Sequence, residues 1–320
     1  MGGYSSEVEI SLKSGKTVMA NLDRDKYEPY AIEILKEDWT CELEDGTSVP
    51  VNKEDFTITI EDTVVSFDAA FNTIHGTPGE DGLLQAYLQL MNVPQTACNF
   101  YQAALTFNKR DCISALKPYG IKTAANFYIN KGDFIDKKAI IEKVGLPCFV
   151  KANKAGSSFG VTKVYAAEEL QAAIDNAYKE DDEIIIESFL DGTEVSVGVI
   201  NFQGKVMALP VTEIVSENDF FDYEAKYQGK SQEITPARLT AHQTREVQDL
   251  AEKVYKVLKL KGITRAEFIF HNGEPHFLEV NTTPGLSPAS IIPQQAKVAG
   301  ISLTELFDSV IQAVLTQKKH

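Results

Sequence analysis

The 320-residue sequence lacks several features that would define a class of protein at once. It has four scattered cysteines, with no Cys-x-x-Cys pair and no neighbouring histidine, so the sequence implies neither a zinc site nor a disulfide framework and favours reduced, packed thiols. No apolar run reaches the ~20 residues that cross a bilayer, and the opening residues lack the pattern of a signal peptide. We therefore expect a cytoplasmic protein.

Basic residues are also scarce. Lys and Arg number 31 against 46 Asp and Glu, which gives a formal net charge of −15, and no Lys/Arg-rich run is present. Binding of a polyanion requires a basic surface, so neither nucleic acid nor an anionic membrane is expected as a partner. The hydrophobic fraction of 43% and the charged fraction of 24% are typical of a soluble globular protein. At ~150 residues per domain, the length predicts about two domains, or three small ones.

Changes in residue pattern divide the chain into three regions. Residues 1–95 alternate apolar strands with helical stretches, which indicates a small α/β domain, whereas residues 96–190 and 191–320 are each typical of an α+β domain. Residues 216–237 contain several aromatic side chains but no helical or strand period, and loops longer than ~12–15 residues are usually functional lids or disordered. We interpret this segment as a lid.

Within these regions, several helices and strands are predicted from periodicity and turn residues. They are a helix opened by a capping box at 6–9, a strand at 69–74, helices at 82–91, 101–118, 137–144 and 167–178, strands at 147–151, 160–165, 183–187, 194–200 and 205–213, a helix at 239–259, a hairpin at 265–281 and a helix at 302–317.

The hairpin near the C-terminus carries polar residues where core residues are expected. Arg265 and Glu267 share one face of its first strand, and Glu279 and Asn281 share one face of its second. If the turn has an odd number of residues, Glu267 lies opposite Glu279 and Arg265 opposite Asn281. Two adjacent carboxylates raise each other's pKa unless a cation separates them, and oxygen donors without sulfur or imidazole suit Mg²⁺ or Mn²⁺. The alternative is a solvated face with an ordinary ion pair to Arg265.

Two further stretches suit a nucleotide. Lys151 ends a predicted strand and is followed by a loop of small residues, 152–160, whose backbone N–H groups could close over phosphates; a plain hairpin has the same composition. This is no Walker A loop, because the lysine precedes the glycine. Residues 187–194 run out of another predicted strand. Their polar and apolar side chains suit contacts with adenine and ribose; the alternative is an ordinary strand end.

Together these features resemble one enzyme superfamily. Lys109, Lys151, the small-residue loop, the 187–194 stretch, Arg-x-Glu and Glu-x-Asn occur in the order seen in ATP-grasp enzymes, in which two α+β domains clamp ATP. Within that superfamily, the chain is similar from end to end to the D-alanine–D-alanine ligase family. The matching passages are residues 2–7, 75–82, 222–227 and 279–290. The resemblance implies the ATP-grasp fold, preceded by a small N-terminal α/β domain.

The resemblance also implies an activity, the ATP-dependent ligation of two D-alanines through D-alanyl phosphate to supply peptidoglycan precursors. In this interpretation Glu7 faces the ammonium of the first D-alanine, Ser157 and Tyr227 form a hydrogen-bonding chain with Glu7, and His75 lies near the activated carboxylate. Arg265 and the Gly285 backbone stabilise the oxyanion. The remaining residues implied to bind D-alanine are Lys226, which reaches in from the lid, and Ser290, which binds the second carboxylate.

The implied co-substrate is ATP, with Mg²⁺ or Mn²⁺, two ions per site, held by Glu267, Glu279 and Asn281; a homodimer is implied as well. The residues implied to contact the nucleotide are Lys109, Lys151, Ser157, Ser158, Glu187, Ser188, Phe189, Leu190, Glu194, Lys226, Ile269 and Leu278.

The chain departs from the family pattern at two places. Arg265-Ala266-Glu267 replaces the usual Arg-x-Asp, and we expect metal binding to be retained. The Gly2-Gly3 turn normally follows the first strand of the N-terminal domain, which here is missing; we interpret Met1 as an internal residue of a longer natural chain.

Three other functions fit parts of the sequence. A D-alanine–D-lactate ligase or another amino-acid ligase would have the same fold, but Tyr227 favours the dipeptide enzyme. A nucleotide-binding homologue without catalysis is the second, and the joint presence of the lysines, Arg265 and the metal ligands argues against it. A Rossmann oxidoreductase is excluded, because no G-x-G-x-x-G follows a strand.

Overall fold

The computed structural model describes residues 1–156, 160–216 and 231–317. Within these ranges the strands form a five-stranded, a four-stranded and a six-stranded sheet, all with antiparallel pairing between neighbouring strands, and helices pack on the sheets. The predicted mixture of helices and strands is confirmed.

The N-terminal sheet is an antiparallel meander. Its elements, in chain order, are α1 (Val8–Asn21), β1 (Ala31–Ile34), β2 (Trp39–Glu42), β3 (Ser48–Asn52), β4 (Thr57–Ile60), β5 (Thr63–Val65) and α2 (Leu83–Leu90). Helix α2 confirms the helix predicted at 82–91, whereas the meander of β1 to β5 was not predicted from the sequence.

Two predicted features of this region are wrong. Residues 69–74 form no strand, because the backbone N–H of Ile74 donates to the Asn72 side chain at 2.9 Å and only Ala70 bridges another segment. The capping box at 6–9 is absent: Glu7 occupies the N-cap position without a side-chain cap, and its backbone N–H donates to the Ser5 hydroxyl at 3.3 Å. Helix α1 therefore begins without the predicted reciprocal side-chain caps.

The central sheet has the strand order β6-β9-β7-β8. The elements of this part are α3 (Phe100–Phe107), α4 (Lys109–Leu116), β6 (Asn126–Asn130), α5 (Lys137–Val144), β7 (Cys148–Ala152), β8 (Thr162–Val164), α6 (Leu170–Ala177) and β9 (Glu183–Ser188). The single helix predicted at 101–118 is two helices, because Asn108 leaves the helical conformation and its side chain accepts from Asp111 N–H at 3.0 Å. This break places Lys109 at the start of α4.

The C-terminal sheet has the order β13-β12-β10-β14-β15, with β11 paired to β10. Its elements are β10 (Gly192–Phe202), β11 (Lys205–Ala208), β12 (Thr212–Ser216), β13 (Ser231–Ile234), α7 (Ala241–Val257), β14 (Ile263–His271), β15 (Glu274–Asn281), α8 (Ile291–Val298) and α9 (Leu303–Gln317). The strand predicted at 205–213 is interrupted, because residues 209–211, including Pro210, leave the ladder between β11 and β12.

The segment predicted as a lid without regular structure, 216–237, contains the strand β13, which pairs with β12. The residues of β13 have no polar–apolar alternation of their own and gain regular structure from pairing with that partner strand. Residues 217–230 lie outside the described ranges.

The hairpin of β14 and β15 has the predicted pairing for a different reason. Arg265 lies opposite Asn281 and Glu267 opposite Glu279, but the turn is the two-residue Asn272-Gly273 turn between His271 and Glu274. A bulge after Glu267, which leaves Leu278 as the extra residue, restores the register that a three-residue turn would have given.

Separate groups of buried apolar residues support the three sheets. Cys98, Cys112 and Leu116, which the predicted boundary at residue 96 assigns to the central region, pack with β10, β14 and α7. That boundary stays a prediction. All four cysteines are buried free thiols, as predicted. No single helix in the described ranges has the length and apolarity to span a bilayer; one bent pair, α8 and α9, passes that test jointly.

Candidate active site

A polar cavity of about 290 Å³ lies where the start of α1, the start of α4, the hairpin and the segment before α8 meet. It brings together eight of the predicted site residues from positions far apart in sequence. These are Glu7, His75, Lys109, Arg265, Glu279, Asn281, Gly285 and Ser290. Ser157, Ser158, Lys226 and Tyr227 lie outside the described residues.

The paired carboxylates of the hairpin each have a cation nearby. An Nη atom of Arg265 donates to Glu267 at 2.8 Å, and the Lys109 ammonium lies 3.4 Å from Glu279. Asn281 Oδ1 accepts from the Thr283 N–H at 2.8 Å. The described residues contain no group of three His, Cys, Asp or Glu side chains arranged for a metal, so a cation at this pair would need the Asn281 amide oxygen and oxygens from a ligand. This all-oxygen donor set fits Mg²⁺ or Mn²⁺.

Two lysines reach the region predicted to hold phosphates. Besides contacting Glu279, Lys109 donates to the carbonyl oxygen of Ala155 at 2.8 Å, which ties the small-residue loop to the hairpin. Lys151 on β7 donates to Glu187 on β9 at 2.7 Å. Burial disfavours the charge of Lys151, but Glu187 and two more distant carboxylates outweigh this effect and raise its pKa. Both lysines are therefore held in place by acidic or carbonyl oxygens.

The predicted adenine stretch follows β9. Glu187 is buried, the Ser188 hydroxyl accepts from Ala125 N–H at 3.0 Å, and Leu190 is buried. The Phe189 ring lies 6.2 Å from the Phe149 ring and 4.0 Å from the Lys163 ammonium. Among the other predicted nucleotide contacts, Glu194 on β10 lies opposite Ile269 on β14, and Leu278 is the bulge residue of β15.

His75 is buried in the cavity wall and is neutral near pH 7. Burial, together with the charge of Arg265, lowers its pKa to about 4. Its Nε2 atom has no hydrogen-bond partner among the described residues. A buried ring nitrogen without a partner is costly, and a ligand atom in the cavity would satisfy it.

The segment between β15 and α8 is shaped around Ser290. The Ser290 hydroxyl makes no helix cap, although the residue occupies the N-cap position of α8, and it hydrogen-bonds instead to the Ser287 hydroxyl at 2.8 Å. A Cβ atom on Gly285 would lie only 2.8 Å from the Ser290 oxygen, so any larger residue there would displace it. Gly285 thus keeps its backbone and the Ser290 hydroxyl side by side at the cavity.

Comparisons with known proteins agree along the whole chain. The family models described as "D-ala D-ala ligase N-terminus" and "D-ala D-ala ligase C-terminus" match residues 1–98 and 115–312. The chain belongs to the D-alanine–D-alanine ligase family. A relative named D-alanine–D-alanine ligase, from Christiangramia forsetii, is 64% identical over 318 residues, which are 99% of this chain and 98% of the relative.

Solved structures of this family share the fold. The D-alanyl-alanine synthetase A of Vibrio cholerae has a TM-score of 0.87 and 27% identity, covering 98% of this chain and 96% of that one. The D-Ala:D-Ser ligase VanG of Enterococcus faecalis has a TM-score of 0.85 and 29% identity, covering 98% and 97%. The predicted family and ATP-grasp fold are confirmed.

Two acidic residues that line the cavity, Glu80 and Glu233, were not predicted as site residues. Glu80 accepts from the Gly76 N–H at 2.7 Å and is buried; burial and the charge of Glu7 raise its pKa to about 8. Its place in a matching passage was the only signal in the sequence. Glu233 lies on β13, in the segment predicted to lack regular structure, and no local pattern pointed to it.

The raised pKa of Glu80 predicts a pH-dependent stability. Between pH 4.5 and about 8 the folded protein keeps a proton that the unfolded chain loses, so stability falls as pH rises through this window. Glu80→Gln preserves a neutral acceptor for Gly76 and removes this loss. At each pH, the free energy of unfolding of the variant is compared with that of the unaltered protein by urea unfolding. We expect this difference to favour the variant by about 1–3 kcal/mol more at pH 8 than at pH 5. A gain that is the same at both pH values, or a similar trend in the exposed control Glu54→Gln, would contradict this assignment.

Proposed function

We propose that this chain joins two molecules of D-alanine into D-alanyl-D-alanine while converting ATP to ADP and phosphate. The observation that carries the proposal is one cavity that gathers Glu7, His75, Arg265, Gly285 and Ser290 beside Lys109 and Glu279. Glu267 is bonded to Arg265 of that cavity. A relative at 64% identity that is named D-alanine–D-alanine ligase supports these substrates. The proposed setting is the cytoplasm, where the dipeptide supplies cell-wall precursors, and the proposed assembly is a homodimer.

The first step activates a carboxylate. An amine cannot usefully displace oxide from a carboxylate, so the carboxylate of the first D-alanine attacks the γ-phosphorus of ATP, and ADP leaves. Glu7 holds the ammonium of this D-alanine, with Ser157 and Tyr227 assigned to its hydrogen-bonding chain. Lys109 and Lys151 hold the phosphates, with Lys226 assigned as a further cation. Their positive charges attract the negative charge that spreads over the phosphate oxygens.

The hairpin supplies the metal ligands in this proposal. Glu267, Glu279 and Asn281 would hold Mg²⁺ or Mn²⁺, and the bound ions would neutralise charge on the phosphates. Lys109 and Arg265 already lie against the two carboxylates, so the pair does not carry its double negative charge alone. Glu267 is one methylene longer than the usual Asp, but its opposition to Glu279 retains the two-carboxylate arrangement.

The second step forms the peptide bond. The ammonium of the second D-alanine loses one proton to solvent, and the resulting amine attacks the acyl carbon of D-alanyl phosphate to form a tetrahedral oxyanion. The carbon–oxygen bond to phosphate then breaks, and phosphate leaves with the second proton of the amine. Arg265 and the backbone N–H of Gly285 donate to the oxyanion, and the Ser290 hydroxyl binds the carboxylate of the incoming D-alanine. Preorganised donors of this kind stabilise the transition state because they need no reorganisation as the charge develops.

The test is product analysis of the purified chain with ATP, Mg²⁺ and either D-alanine, L-alanine, or D-alanine plus D-lactate. We expect one ADP per D-alanyl-D-alanine, formed with the D-enantiomer alone, as measured by coupled ADP release and mass spectrometry. Depsipeptide as the main product at neutral pH would favour the D-lactate ligase. ATP binding without turnover would favour the homologue that lacks catalysis. Sedimentation of the same preparation tests the homodimer.

A further inference from the structure

Four carboxylates line the described part of the cavity, and one of them has no role in the proposed reaction. Glu7 is assigned to the first ammonium and Glu279 to the metal. Glu80 accepts from a backbone N–H, and its pKa of about 8 leaves it largely protonated at neutral pH. Glu233 remains, on the strand that leads away from residues 217–230.

The position of Glu233 ties it to the loop assigned to the second substrate. One side-chain amide, that of Gln294 on α8, donates both to Glu233 Oε2 at 3.0 Å and to the carbonyl oxygen of Ala289 at 2.8 Å. Ala289 directly precedes Ser290. The same carboxylate is close enough to Arg265 for the guanidinium charge to counteract the rise in its pKa that burial causes. Glu233 is therefore at the Arg265–Ser290 side of the cavity.

The second substrate carries an ammonium group, for which the Glu233 carboxylate is a suitable partner. At neutral pH, D-alanine enters as a zwitterion, whose carboxylate and ammonium are attached to the same carbon. Arg265 has only donors, so it cannot bind the ammonium, and the Ser290 hydroxyl is already assigned to the carboxylate. An ammonium beside them needs an oxygen acceptor, best a carboxylate.

We propose that Glu233 binds the ammonium group of the second D-alanine and thereby selects an amino acid over a hydroxy acid as the acceptor. This inference rests on the proposed ligase function. A half-buried carboxylate gains more from a nearby cation than an exposed one, because less water competes. D-Lactate has the same shape and carboxylate but a neutral hydroxyl, so it gains a hydrogen bond from this contact but no charge pairing. Glu233 is an acceptor-binding and specificity residue in this account.

The experiment compares Glu233→Gln with the unaltered protein, using D-alanine alone and D-alanine with D-lactate at pH 7. Glutamine can still accept from Gln294, so the local hydrogen bond is preserved. We expect KM for the second D-alanine to rise about 10- to 100-fold, as for the loss of a charge-assisted hydrogen bond, with KM for the first D-alanine unchanged. Depsipeptide formation with D-lactate should change much less, because glutamine still accepts from a neutral hydroxyl, so the ratio of dipeptide to depsipeptide should fall by most of that factor.

Glu213→Gln is the matched control. Glu213 lies on β12 opposite Ile234, on the other face of the strand pair, where Arg238 binds its carboxylate at 2.6 Å. We expect its loss to lower stability without changing the product ratio. Glu233→Asp retains the charge and should retain the preference for D-alanine.

Two results for Glu233→Gln would overturn the role of Glu233 and leave the proposed ligase function intact. One is an unchanged product ratio in Glu233→Gln; the other is an equal loss of both products, which indicates a structural role. A shift toward depsipeptide in Glu233→Asp would also count against a charge effect. If the unaltered protein forms no dipeptide at all, the proposed function itself fails, and this role fails with it.

Discussion

Replacing Glu279 with glutamine is expected to reduce dipeptide formation by about 1,000-fold or more, equivalent to about 4 kcal/mol of transition-state stabilisation. Glutamine keeps the size of the side chain but removes one of the two opposed carboxylates. Cation binding and phosphate neutralisation weaken together, because the remaining donors are Glu267 and the Asn281 amide. Glu279 is partly exposed, so the fold should survive.

The measurements for this variant are ADP release at increasing Mg²⁺ concentration and thermal unfolding. Glu274→Gln is the control, since Glu274 lies on the same strand but at its far, exposed end, paired with Lys122. The control should retain activity at all Mg²⁺ concentrations. Near-normal turnover in Glu279→Gln, with no change in the Mg²⁺ dependence, would remove the metal assignment of the hairpin.

The second large effect is expected for Arg265→Lys. Lysine preserves the positive charge beside Glu267 but has no planar fork of N–H donors, so it cannot bind Glu267 and an oxyanion at once. We expect peptide-bond formation to slow by about 100-fold, as for the loss of one oxyanion donor. Formation of D-alanyl phosphate, which precedes the oxyanion, should change much less.

Hydroxylamine trapping separates the two steps, because it captures D-alanyl phosphate as the hydroxamate. The expected result is hydroxamate at nearly the normal rate with little dipeptide. Arg238→Lys serves as the control, because Arg238 binds Glu213 away from the cavity and should leave both products unchanged. An equal fall in hydroxamate and dipeptide in Arg265→Lys would place Arg265 in the first step instead.

Local patterns predicted much of the secondary structure correctly. Residues 137–144 form the predicted helix α5, and the strands around β7, β9 and β10 lie where apolar runs indicated. These elements carry their signal within a few residues. The strand predicted at 69–74 failed because the Asn72 side chain replaces a ladder hydrogen bond, which hydrophobic periodicity does not reveal.

The pairing in the hairpin was predicted correctly, but the predicted reason for it is wrong. The opposition of Glu267 and Glu279 was expected from an odd-numbered turn, but a two-residue turn and a bulge at Leu278 produce it. Bulges depend on how the strand packs against its neighbours as well as on its own residues. The predicted roles of individual site residues, including those outside the described ranges, stay predictions.

By itself, the sequence determined the family, the order of the chemical groups along the chain and most of the helices and strands, because motifs and periodicity are local. Tertiary structure alone decided that Glu80 and Glu233 lie in the same cavity as Glu7 and Glu279. It also decided that burial raises the pKa of Glu80 and Glu233 and lowers that of His75. These properties depend on distance and on the exclusion of water, which arise only when segments remote in sequence pack together.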